Sequence, residues 1–243
     1  MKKILLIGIL LLNYLVNAQN FSGKAYYNYS LKTAKNNNQG KSESEGLTFV
    51  KNILMNQSDK YYELNFNENE SIYFEEVSLG RPNKSSFSFS SSTDKYYKDI
   101  SKRIFIEQKE VFGKFFIIKD SLTNYQWELI NETKRIGDFN CFKATTLIEI
   151  NQGLGIVKDL IVVAWYTTKI PINQGPKEFW GLPGLILEIE TEVNLITCTK
   201  IIVKKDKIEN IKMPNKGEEV SKQEFNGIMK KKVNEIKEMY RGN

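Results

Sequence analysis

Phe179-Trp180-Gly181-Leu182-Pro183-Gly184-Leu185-Ile186-Leu187 is the stretch on which the reading of this sequence turns. Leu182-Pro183-Gly184-Leu185 has the composition of a type II turn, in which proline presets φ near −65° at the second position and glycine supplies the positive φ of the third. The apolar run Leu185-Ile186-Leu187 then predicts a loop that tightens and becomes a strand. Gly181, Pro183, Gly184, Leu185 and Ile186 are therefore read as a structural motif.

Just upstream, residues 169–184 form a connection with Pro171, Pro176 and Pro183 and no hydrophobic periodicity. Connections beyond ~12–15 residues without structure of their own are uncommon in compact domains and are often functional. Phe179, Trp180 and Leu182, with Trp165 in the preceding predicted strand, are the candidate ligand-binding residues, because they offer apolar bulk to a cleft. The stretch carries no reactive group, so its role is to shape the sheet or to bind.

Around this centre the chain keeps a β rhythm. Residues 21–32, 47–55, 60–66, 71–76, 95–99, 125–130, 140–150, 158–168, 185–193 and 195–204 are among the runs that alternate or are rich in β-branched and aromatic side chains. Turn residues separate them, and residues 80–94, rich in serine around Phe87 and Phe89, read as a surface loop. Glu188, Glu190 and Glu192 share a strand face and read as a solvated acidic row.

The end of the chain changes period. Ser221-Lys222-Gln223-Glu224 is a capping box, and Phe225, Ile228, Met229, Val233, Ile236 and Tyr240 recur at helical spacing. Lys230, Lys231, Lys232, Lys237 and Arg241 fall on the polar side of that helix. They suit peripheral contact with an anionic membrane surface or an acidic partner, or solvent if the apolar stripe docks on the sheet. The fold predicted is mainly β: a single curved antiparallel sheet or incomplete barrel of about ten strands with a C-terminal amphipathic helix.

Met1 to Ala18 read as a secretory signal, with Lys2 and Lys3, an apolar run from Ile4 to Leu12, and Val16-Asn17-Ala18 before the expected cut. The remainder, residues 19–243, is read as one domain. No cysteine stands directly after the cut, so the expectation is an exported protein, periplasmic or extracellular and not lipid-anchored. The chain carries 35 Lys+Arg and 29 Asp+Glu, a net +6. Removing Lys2 and Lys3 leaves +4, and residues 204–243, with 11 basic and 7 acidic side chains, account for all of it. The body is neutral, and no nucleic-acid surface is expected.

Histidine is absent, which removes imidazole bases, His metal ligands and Ser-His or Cys-His nucleophile pairs. No carboxylate or lysine pair is singled out by its spacing, so no catalytic residue, metal or cofactor is assigned. Cys141 and Cys198 leave two readings open. A disulfide would close a loop of roughly 60 residues and contribute ~4 kcal/mol; otherwise each is a small buried apolar residue.

The hexapeptide from Gly181 to Ile186 resembles the signature of the GLPGLI family of exported Bacteroidota proteins. The likeness extends through Ala164-Trp165-Tyr166-Thr167, Ile170-Pro171-Ile172 and Gly175-Pro176. It continues upstream in Trp127, Glu132-Thr133-Lys134, Ile136-Gly137, Cys141 and Lys143-Ala144, covering the central third of the chain. The resemblance implies export and a shared architecture, and no activity. The function expected from the sequence is a non-catalytic envelope binding module for an apolar ligand or partner segment. The alternative is a structural accessory of an outer-membrane transport or secretion system.

Overall fold

The computed structural model describes residues 21–32, 60–76, 94–151, 157–205 and 210–241. The expected signal segment, the strand expected at 47–55 and all of the serine-rich loop but Asp94 lie outside them. The strands are β1 (Phe21–Leu31), β2 (Lys60–Phe66), β3 (Glu70–Glu75), β4 (Lys95–Asp99), β5 (Ile104–Val111) and β6 (Lys114–Ser121). They continue as β7 (Glu128–Ile136), β8 (Phe139–Asn151), β9 (Val157–Thr167), β10 (Leu185–Glu190), β11 (Asn194–Lys205) and β12 (Glu218–Ser221), followed by helix α1 (Lys222–Arg241).

All twelve strands join one open sheet in the order β12-β6-β5-β4-β3-β2-β1-β11-β10-β9-β8-β7. Every pairing is antiparallel except that of β12 with β6. The predicted curved, unclosed sheet with a terminal helix is thus the observed architecture, with twelve strands for the expected ten or so. Register shifts at Tyr26/Tyr27, Ile186/Glu188 and Ile130/Thr133 add bend to the ordinary sheet twist.

Alternation along the strands places one apolar face inward. Ala25, Tyr27, Leu64, Phe66, Tyr73, Ala164 and Ile196 from this face join Ile170, Ile172, Phe179 and Leu182 from the 168–184 connection in the main core. The connection therefore lies inside the sheet's curve as a plug. At the far end Phe116, Ile118, Val220 and Phe225 form a second cluster, where α1 docks on β6 and β12. The Phe116 and Phe225 rings meet edge-on at 5.4 Å. The capping box forms as its sequence predicts: Ser221 N donates to Glu224 Oε2 (2.7 Å) and Glu224 N donates to Ser221 Oγ (3.2 Å).

Several local expectations are corrected. Residues 125–127, read as the start of a strand, belong to the connection before it, and β7 begins at Glu128. Cys141 and Cys198 are free, buried thiols. β9 and β10 stand between their strands, which spaces the two backbones by roughly 14 Å, far beyond the ~7 Å that a disulfide spans. Burial pushes the Cys141 thiol up to about 11 and the Cys198 thiol up to about 12. The acidic row is paired rather than simply solvated. Glu188 is buried against Lys134 (2.5 Å) and Thr197, Glu190 meets Lys32, and Glu192 meets Lys158 (2.6 Å).

Candidate functional site

The plug is built from two proline-centred turns. Ile172 N donates to Ile170 O across Pro171 (2.8 Å), and Gly184 N donates to Leu182 O across Pro183 (2.7 Å). Both have the i to i+2 pattern of an inverse γ-turn, for which the proline φ is suited. The type II assignment does not hold, because the positive φ of the motif belongs to Gly181 (93°) and not to Gly184. Gly184 is required for a different reason: a Cβ there would lie 2.1 Å from Thr167 O. Backbone bonds from Gly181 N to Asn173 O, Leu185 N to Ile170 O and Ile186 N to Gln174 O then fix the plug to itself and to β10.

The sheet holds the plug through one cation. Lys98, on β4, is fully buried and donates to the carbonyls of Gly175 (2.6 Å), Lys177 (2.7 Å) and Phe179 (2.9 Å). All three ammonium protons have an acceptor, so the group satisfies a loop whose carbonyls face no strand. Burial drives its pKa down to about 7, against the supporting charge of Glu178. With its protons committed to backbone oxygens, Lys98 has a structural role. Nearby, Ser71 Oγ donates to Gln174 Oε1 and Tyr27 OH donates to Ile186 O.

The four candidate binding residues belong to this packing. Phe179 and Leu182 are buried in the main core, and the Phe179 ring lies 5.5 Å from that of Tyr125. Trp180 is buried with its Nε1 donating to Thr123 O (2.7 Å), while Trp127 Nε1 donates to Trp180 O (2.9 Å). Trp165 lies on β9 with the ammonium of Lys134 4.3 Å, and that of Lys143 5.9 Å, from its ring centre. Phe179 and Leu182 fill the concave face and Trp180 is buried in the plug, whereas Trp165, opposite Glu188 and Lys143 in the ladder, projects from the face of β9 away from Ala164.

The opening lies beside the plug. A cleft of about 670 Å³ separates the β4–β6 arm from β8, with Tyr96, Phe105 and Tyr125 supplying its rings. Glu107, Lys109, Asp120, Glu149, Lys177, Glu178 and Lys222 supply its charges. Glu107 is buried and takes Lys109 (2.5 Å) and Lys222 (3.5 Å). Burial opposes the charge on Lys109, yet Glu107 outweighs it and holds that ammonium above its ordinary pKa. Burial, with Glu107 next, pushes the Tyr96 phenol far up; burial and Glu178 do the same to Tyr125. Behind Lys109, Asp94 has a buried Oδ1 without a partner, and desolvation raises its carboxyl to about 6. Among the described residues no group of three His, Cys, Asp or Glu side chains is placed to hold a metal ion.

Residues 152–188 match the model of a family described as Protein of unknown function (Porph_ging). Over its described part the matched segment comprises β9, the plug and the start of β10, so it coincides with the conformationally specified region. Two solved structures share the fold. The structures of PNGF-II in the C2 and P21 space groups superpose with TM-scores of 0.53 and 0.51, at 16% and 17% identity. Each alignment covers 86% of this chain and 32% or 33% of the PNGF-II chain, so this chain spans about a third of their length. No curated protein matches.

Lys98, Glu178, Tyr96 and Tyr125 were missed by sequence reasoning. A lysine in an alternating strand reads as a solvated side chain, and only the full burial of Lys98, with Tyr96 half-buried on the same face of β4, shows otherwise. Proximity to Trp180 was the available signal for Glu178.

Proposed function

We propose that this chain is a ligand-binding module of the cell envelope, an exported protein of the GLPGLI type, with the cleft beside the plug as its site. The observation that carries the reading is that the plug residues Phe179 and Leu182 are packed into the core while a cleft lined by rings and charges opens beside them. Its volume of about 670 Å³ lies within the ~300–1,000 Å³ of small-molecule sites. The lining mixes aromatic rings with charged groups. The ligand is accordingly a small polar molecule with a face that stacks, rather than an acyl chain lying along the sheet.

An NMR titration with a fragment library tests it. Binders are expected to shift the resonances of Tyr96, Phe105 and Tyr125 and to leave Trp165 and Leu182 unmoved. A library in which every binder perturbs Trp165, Phe179 and Leu182 instead would return the site to the plug.

A second reading, docking of a partner protein, has its own observation. Leu147 and Ile161 face each other across β8 and β9 at 66% and 61% exposure. Beyond Thr145, β8 has no partner strand on its other side among the described residues. Envelope crosslinking from a Leu147→Cys variant tests it: capture of a defined partner is expected, and recovery of monomer alone argues against docking.

A further inference from the structure

Within the cleft, the charges divide into those that are matched and those that are not. Glu107 absorbs Lys109 and Lys222, and the Lys177 ammonium lies 5.2 Å from the centre of the Tyr29 ring. Glu178, Asp120 and Glu149 make no ion pair among the described residues. The half-buried Glu178 stands where its charge acts on Lys98, Lys109, Tyr96 and Tyr125. Carboxylates left unmatched beside electron-rich rings form the environment in which an ammonium or guanidinium is held by both charge and ring quadrupole.

We infer that the cleft takes an organic cation, a primary amine or guanidinium compound, with Glu178 as its principal anchor and the rings of Tyr96 and Tyr125 against its apolar body. The inference rests on the cleft being the binding site and goes further by assigning the ligand's charge. Asp120 and Glu149, exposed on the two opposite arms, draw the cation in and face its second polar end. The overall positive charge of the chain does not oppose this, because the surplus lies in Lys2, Lys3 and residues 204–243, and residues 19–203 are neutral. Lys222 stands at the cleft with its charge directed to Glu107.

Calorimetric titration of the full chain with three probes of similar length tests the inference: agmatine, the neutral hexane-1,6-diol and the dianion glutarate. Agmatine is expected to bind one to one and more weakly as sodium chloride rises, while the other two do not bind. Glu178→Gln is expected to weaken agmatine binding about tenfold or more, as removal of a partly desolvated charge partner does. Asp120→Asn combined with Glu149→Gln, both exposed, is expected to weaken it several-fold without moving the melting temperature. Equal binding of agmatine by the wild type and Glu178→Gln would overturn the assignment. Binding of the diol or glutarate at the cleft resonances would overturn the cationic class and leave the binding module standing. If no probe and no fragment perturbs the cleft, both fall.

Discussion

The plug has two sides, and they are built on opposite principles. Its inner side is mostly paired: three carbonyls meet the Lys98 ammonium, the Trp180 indole meets Thr123, and Leu182 is packed in the core, while the buried Gln174 Nε2 has no partner among the described residues. Its outer side, at Glu178, faces rings and charges that the described chain leaves unmatched. A buried polar group that is fully paired fixes a structure, whereas a surplus of one charge in an open cleft is available for a partner from outside. The contrast separates what holds this protein together from what it offers to bind, within a dozen residues of sequence.

The sharpest way to break the comparison is to remove the cation that fixes the inner side. Lys98→Met leaves two buried carbonyls and one part-buried carbonyl without their donor, at ~1–3 kcal/mol for each buried one, so a loss of at least ~2 kcal/mol is expected from urea denaturation. A loss below ~1 kcal/mol would mean that the carbonyls find other donors and that the plug is held by packing alone. Next in size is Gly184→Ala, whose methyl group meets the Thr167 carbonyl, with an expected cost of ~2–3 kcal/mol. Gly181→Ala, at a positive φ but with room for a Cβ, costs ~1 kcal/mol by the same measurement. A cost of only ~1 kcal/mol at Gly184 with none at Gly181 would restore the type II turn.

The smallest effect belongs to the outer side and appears as a pH dependence. Asp94 is raised to about 6 in the fold by desolvation, above the ~4 of an unfolded chain. The folded state therefore holds the extra proton between these values. Its stabilising contribution is complete below pH ~4 and is lost as pH rises through about 6. Asp94→Asn is expected to abolish this slope and to be more stable than the wild type above pH 6, by on the order of 1 kcal/mol after solvent screening. Parallel denaturation midpoints for the two proteins from pH 4 to 7 would remove Asp94 from the account.

Much of the architecture is legible because it follows from local periodicity and capping. The alternation of 21–32, the apolar runs around Trp165 and the Ser221–Glu224 box each declare their element, and the sheet assembles in the expected form. What is not legible depends on contacts distant in sequence. Pro183-Gly184 reads as a turn of one type because local chemistry permits it, while the actual demand on Gly184 comes from Thr167, on the neighbouring strand. Glu-Glu-Val-Ser at β12 is four residues with a single apolar side chain, and only its parallel pairing with β6 makes it a strand. The burial of Phe179, Trp180 and Leu182 was not legible for the same reason. Aromatic residues in a long proline-rich connection suggest an exposed binding loop until Lys98, about 80 residues earlier, is seen to draw that connection into the core.

Amide hydrogen exchange across residues 168–186 tests the central claim most directly, because a plug and a binding loop differ in how their backbone is protected. The amides of Ile172, Gly181, Leu185 and Ile186, each bonded within the plug or to β10, are predicted to exchange as slowly as those of the central strand β1. Exchange of these amides at the rate of exposed turns, such as Gly137-Asp138, would contradict the account and make the connection the mobile binding element instead.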